Sequence, residues 1–251
     1  MSNFLNSIFD PFVIALRFLT HIPFPLKHND YSEQDWGRSV LAYPLIGLII
    51  GLILFFIYKM FVGHNAGVIA VLLLTVWVLL TGGLHIDGLA DSADAWIGGH
   101  HDRERAFEIM KDACCGPVAV ATVFLVLLIK FVALKALVQQ SNGVAFILIP
   151  VLSRTAAVVL LLTTKYVREE EPGFVLSSKL PRLSAIIVCV VVVLLLIMFI
   201  GAESLKILFS LFVVGYLLRL FMLRRLGGMS GDAAGAFIEI IEAVLLLSFV
   251  L

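Results

Sequence analysis

The chain has 251 residues, of which 61% are hydrophobic and 14% charged, against about 25% charged in an ordinary soluble domain. Eighteen basic residues balance eighteen acidic ones, so no excess of positive charge points to nucleic acid as a partner. Three cysteines, Cys114, Cys115 and Cys189, form neither a disulfide framework nor a zinc-ligand spacing, which sets thiol and zinc chemistry aside.

This composition predicts an all-α, polytopic integral membrane protein, with residues 1–251 forming a single transmembrane domain. In chain order, the first stretch, 4–22, places Leu5, Ile8, Phe12, Ala15, Leu16 and Leu19 at helical spacing. Asp10 and Arg17 interrupt its apolarity, as in a helix lying in the membrane interface, although a short eighth span has the same pattern. Asp10 and Pro11 also break any signal-peptide layout, so the segment is expected to be retained. Runs of about 20 apolar residues, the length that crosses a bilayer, follow at 39–62, 66–84, 117–139, 143–163, 183–202, 204–222 and 234–251. Seven spans are therefore predicted.

Lys and Arg favour the cytoplasmic side of a membrane. Arg17, Lys27 and Arg38, then Arg103, Arg105 and Lys111, then Lys165, Arg168, Lys179 and Arg182, and finally Arg224 and Arg225 fall on one side. The other side has only Lys59, Lys135 and Lys206 beside short connections. The N-terminus is placed inside, and the loop after the second span faces the cytoplasm.

That loop opens with the most informative segment, residues 82–94. Asp87, Asp91 and Asp94 are spaced by four and three residues, which on a helix gathers them within about 60° of arc. At roughly 6 Å separation and an effective dielectric near 20, each like-charged pair costs about 3 kcal/mol. A bound cation removes that cost, and Mg²⁺ favours a few carboxylates completed by substrate phosphates. The bland reading is a solvated helix start, where acids suit the dipole. His85, two residues before Asp87, is a candidate base, though a local hydrogen bond is the commoner use of such a histidine. The following stretch, 103–112, reads as a short amphipathic helix with a solvated face, of which Arg105, Lys111 and Asp112 are the candidates for substrate contact.

Lys130 and Arg154 interrupt otherwise apolar spans. They suit a phosphate clamp, or equally a structural ion pair with intramembrane acids. Glu169, Glu170 and Glu171 form a like-charged run read as solvated. Near the C-terminus, Gly227, Gly228 and Gly231 precede Asp232, with Glu239 and Glu242 at helical spacing on the same face. The turn's amides at Gly228 and Gly231 could cradle an anion, or the small residues could serve close packing. Acids inside a span usually face a polar cavity or pair with a cation.

With these residues in place, the chain resembles the adenosylcobinamide-GDP ribazoletransferase family, the cobalamin or cobalamin-5'-phosphate synthases. The resemblance runs almost end to end, through Arg17-Phe18-Leu19-Thr20, Tyr43-Pro44-Leu45-Ile46-Gly47, residues 82–94, Ile109-Met110-Lys111-Asp112, Lys130, Ser153-Arg154, and Gly227-Gly228 with Gly231-Asp232 and Glu239. After Asp112 the chain departs from the family pattern: Ala113, Cys114, Cys115 and Ala119 stand where a serine, a basic or polar residue and a glycine are usual. This weakens the case for phosphate contact from that loop. The resemblance implies transfer of the phosphocobinamide group of adenosylcobinamide-GDP to alpha-ribazole or its 5'-phosphate, with GMP release and Mg²⁺ as cofactor. It further implies the bacterial inner membrane, with the active site facing the cytoplasm. In that reading Asp87, Asp91 and Asp94 hold the metal and Lys130 and Arg154 the phosphates. Asp232 holds a second ion or orients the attacking hydroxyl, and Glu239 positions Lys130 or Arg154. Self-association is left open.

Competing classes fit less well. CDP-alcohol phosphotransferases need an aspartate where Leu84 stands, and intramembrane prenyltransferases need paired Asp-rich repeats that are missing. A transporter built on Lys130, Arg154, Glu239 and Glu242 would be expected to show internal repeats, and none is visible.

Overall fold

A computed structural model describes residues 2–24, 31–99 and 102–251, with side chains from residue 9 onward. The predicted contributions of Leu5, Ile8 and Lys27 lie outside what is described. Twelve helices make up the described fold: α1 (Ser2–Leu19), α2 (Glu33–Ser39), α3 (Tyr43–Phe61), α4 (Ala66–Thr81), α5 (Leu84–Gly98), α6 (Arg103–Met110), α7 (Pro117–Gln139), α8 (Gly143–Thr163), α9 (Pro172–Ser178), α10 (Arg182–Ile200), α11 (Glu203–Leu226) and α12 (Gly231–Val250). Among them, six crossings are long and apolar enough to span a membrane, and the bent pair α4 and α5 makes a seventh if counted as one broken span. α1 is not among these candidates. Its Ala15, Leu16 and Leu19 are buried against the protein, and it packs on α2 and α3.

The first crossing begins earlier than hydropathy alone indicates. Ser32 and Asp35 form a capping box, each side chain accepting from the other's backbone amide at 3.2 Å. A 3-10 turn, Val40–Ala42, then joins α2 to α3, so that 29 residues run as one span. α3 lies tightly on α8, because Gly47 and Gly51, four residues apart, leave no side chain between the backbones. A Cβ on Gly47 would stand 2.4 Å from the Pro150 carbonyl oxygen, and one on Gly51 2.7 Å from Ile147 Cα.

The second crossing differs from the sequence expectation of an unbroken 66–84. Asn65 caps α4 through the amides of Gly67 and Val68, and the helix ends after 16 residues. Gly82 and Gly83 both take left-handed backbone angles, φ 62° and 72°, which a Cβ disfavours. The chain turns by 86° into α5, which packs chiefly against α12 and α7.

α8 and α12 form the centre, with 72% and 61% of their apolar windows buried inside the protein. α10 and α11 bury only 11% each and expose Leu183, Met198, Phe199 and Phe209, as helices facing lipid must. The basic loops meet on one rim of this bundle, where Lys111 approaches Glu170, Lys179 pairs with Glu33, and Arg103 abuts Gly227.

Candidate active site

The site starts from a backbone contact. At Gly88 of α5 a Cβ would lie 2.6 Å from the Asp232 carbonyl oxygen and 3.0 Å from its Cα, so α5 rests directly on the first turn of α12. Asp87 and Asp91, one residue before and three after Gly88, fall on the same side of α5 beside this contact. They lie within electrostatic reach of Asp232. One turn deeper, His85 faces Gly235, whose Cβ would be 3.2 Å from the His85 Cα. A cleft of about 370 Å³ opens here, lined by Arg17, His85, Asp87, Tyr166, Gly231 and Asp232 among others.

A second loop holds the far wall. Val167 donates to the Met229 carbonyl (3.0 Å) and Met229 to that of Lys165 (2.9 Å), a single parallel bridge between the two loops. Gly228 is needed for that pairing, since a Cβ would come 2.3 Å from the Lys165 carbonyl oxygen. Close packing is thus one role of this glycine. Arg168 reaches Glu171 at 2.5 Å and Asp232 at 3.4 Å, and its guanidinium lies over the Phe107 ring at 5.3 Å. Glu171 in turn accepts from the Gly231 amide (2.9 Å) and from the Tyr166 hydroxyl (2.5 Å). Burial and that bond to Glu171 hold the Tyr166 phenol protonated, well above its ordinary range. The Gly231 amide, expected to face substrate, is committed to a carboxylate of the chain itself. Arg168, Glu171, Tyr166 and Arg17 are the site residues that spacing did not single out. The run 169–171 is solvated at Glu170 but not at Glu171, whose side chain is only 20% exposed. The signal available for it was an Arg three residues before an acid in a loop on the same side as the aspartates.

Several expected site residues lie elsewhere. Asp94 shares the face of Asp87 and Asp91, yet its carboxylate accepts from the amides of Gly116 (2.6 Å) and Ala119 (2.9 Å). It caps the start of α7, which leaves it poorly placed to ligate an ion. Lys130 and Arg154 are sealed in the bundle, 1% and 0% exposed. The Lys130 ammonium contacts Glu239 at 2.6 Å and Glu242 at 2.5 Å, while Arg154 pairs with Glu242 and with the Ser153 hydroxyl (2.8 Å). Lys130 also lies 4.9 Å from the centre of the Trp77 ring. Two cations and two anions cancel, so the ion-pair alternative describes these residues, Glu239 included, better than a phosphate clamp. Arg105 is exposed and pairs with Glu108 on its own helix at 3.0 Å. Lys111 is exposed beside Glu170 at 3.9 Å, and Asp112 accepts from the Cys114 amide at 3.0 Å. None of these three lines the cleft. His85 does line it, is 6% exposed and has no hydrogen-bond partner at Nδ1 among the described residues.

The donor set suits a hard cation. Asp87 and Asp232 at the open cleft, and Asp91 beside them, offer only oxygen. No three acid, histidine or cysteine side chains among the described residues converge tightly enough to enclose an ion. Magnesium, which is held by one or two carboxylates and completed by substrate phosphates and water, fits such a place better than calcium, which takes six to eight oxygens.

Fold and site thus define a multi-pass helical membrane protein with an acidic cleft between a bent helix and the first turn of a central span. The model of the cobalamin-5-phosphate synthase family matches residues 11–250, and the chain belongs to that family. It is 47% identical over 241 residues to an adenosylcobinamide-GDP ribazoletransferase of Pseudomonas fluorescens, covering 96% of this chain and 99% of the relative. Proteins of the same name from Pseudomonas putida (46%) and Acinetobacter baumannii (44%) match over 96% of this chain and over 98% and 96% of their own lengths. No solved structure matches.

Proposed function

We propose that the chain transfers the phosphocobinamide group of adenosylcobinamide-GDP to alpha-ribazole or its 5'-phosphate, releasing GMP, and that this occurs in the acidic cleft. The observation that carries the reading is the end-to-end family match, joined to a cleft in which carboxylates outnumber the cations that answer them. In the reaction a ribose hydroxyl of the acceptor attacks the phosphorus attached to cobinamide. The bond from that phosphorus to the GMP oxygen breaks, and the hydroxyl proton passes to a base.

Phosphoryl transfer asks a protein chiefly to position the reactants and neutralise charge. Asp87 and Asp91 would hold Mg²⁺, which when bound would offset the charge of the diphosphate. Asp232, fixed by Arg168, faces the acceptor hydroxyl and takes its proton. Arg168 is itself held by Glu171 and by its stacking on Phe107, which keeps Asp232 from rotating away.

The rim bearing the basic loops faces the cytoplasm of a bacterial inner membrane, in keeping with the bias of Lys and Arg. A membrane-impermeant thiol reagent tests this through the exposed Cys114 and Cys115. Labelling in inverted vesicles but not in intact spheroplasts is expected, and the reverse would turn the topology over. The activity is tested by incubating detergent-purified protein with adenosylcobinamide-GDP and alpha-ribazole, with Mg²⁺ and with a chelator. GMP and a completed corrinoid should form only with the metal, and absence of GMP release would overturn the assignment.

A further inference from the structure

Among the described residues, Arg17 is the one Lys or Arg whose side chain lines the acidic cleft. Lys130, Arg154 and Arg168 in the interior and Arg105, Lys111 and Lys179 on the surface are each answered by a carboxylate within 4.0 Å. Among the described residues Arg17 makes no such pair, although Asp87 and Asp232 line the same space. The backbone that carries it is fixed by packing, because Leu16 and Leu19 on either side are 4% and 2% exposed and Thr20 bonds back to the Leu16 carbonyl at 2.6 Å. The same side chain also borders an adjoining cleft of about 640 Å³, lined by Thr20, His21, Ile22, Pro23 and Phe24.

A basic residue in the last turn of a helix is favoured by the helix dipole wherever it occurs, so position alone carries little. More telling is that this exposed side chain borders two clefts at once, one of them lined by carboxylates it does not neutralise. An anion entering between them would meet positive charge from both sides, a cation on the aspartates and the planar fork of Arg17, which is shaped for two parallel bonds to phosphate oxygens. We infer that Arg17 binds the diphosphate of the nucleotide-activated substrate and orients it towards Asp87 and Asp232, with the adjoining cleft receiving one of the groups that the diphosphate joins. The inference rests on the transferase reading and names the residue that selects its activated substrate.

The test compares wild type with Arg17→Ala, Arg17→Gln and Arg17→Lys, purified in detergent. KM for adenosylcobinamide-GDP should rise about 10- to 100-fold in the neutral variants, the range given by loss of a charge-assisted hydrogen bond. KM for alpha-ribazole should stay unchanged, with Arg17→Lys in between. Equilibrium binding of GDP with Mg²⁺, followed by calorimetry without turnover, should weaken in parallel. Should Arg17→Ala fail to fold, Arg17→Gln keeps the side-chain length and carries the comparison. An unchanged KM for the activated corrinoid, or an equal rise for both substrates, overturns the inference while wild-type turnover leaves the reaction itself standing. A wild type that releases no GMP removes the reaction instead.

Discussion

The buried quartet of Lys130, Arg154, Glu239 and Glu242 and the acidic cleft are carried by the same helix, yet they are built on opposite electrostatic terms. Asp232 sits in the first turn of α12 and Glu239 seven residues on, about 10 Å deeper at 1.5 Å per residue. In the deeper group each charge has its partner inside the protein and water is excluded. In the shallower one, of Asp87, Asp91 and Asp232, only Asp232 is paired with a cation, Arg168, which Glu171 also claims. Balanced charge in a bilayer serves assembly, whereas unbalanced charge at an accessible rim calls for a ligand. His85 lies between the two, lining the cleft while remaining within electrostatic reach of Arg154, Glu242 and Lys130.

That contrast can be broken first at Glu242. Removing one member of a buried ion pair leaves its partners uncompensated, so Glu242→Ala should lose about 3 to 5 kcal/mol of stability. It should appear as a lower unfolding midpoint in detergent, with the KM of the surviving folded enzyme unaltered. A normal midpoint with a raised KM would transfer the quartet to the substrate site. Asp232→Asn should behave in the opposite way. GMP release falls 100-fold or more, about 2.7 kcal/mol of barrier, and the unfolding midpoint barely moves. Wild-type turnover in this variant would take the chemistry away from the cleft.

Asp94 divides the two behaviours more finely. Asp94→Ala removes the cap of α7 and should cost about 1 kcal/mol of stability, while the Mg²⁺ concentration needed for half-maximal rate stays put. A shift in that concentration would return Asp94 to the ion. The smallest effect is expected at Arg105. Arg105→Ala, at an exposed pair within one helix, should change stability by less than about 0.5 kcal/mol and leave both KM values alone.

Periodicity and hydropathy alone were enough to locate most of the crossings and the shared face of Asp87 and Asp91, whereas a place for Asp232 at the same site came only from the family resemblance. The crossings and that face depend on residues a few positions apart or on the bulk solvent. The fate of Lys130 was left between two readings, because its partners lie 109 and 112 residues away and only tertiary packing chooses among them. The capping role of Asp94 was not legible for the same reason: the amides it accepts from are 22 and 25 residues distant. Glu171 was taken with its neighbours as a solvated run. A pairing between two loops, made at Met229 and Lys165, turns it inward.

The break at Gly82 and Gly83 decides where the aspartates end up. A straight helix through α4 and α5, about 33 residues, would measure about 50 Å, well beyond a hydrocarbon slab of about 30 Å. It would carry residues 87–94 off into bulk solvent as a free stalk. Two residues without side chains fold that stalk down like a latch over the mouth of the bundle. Stiffening the latch should disarm the enzyme without touching any group that meets its substrates.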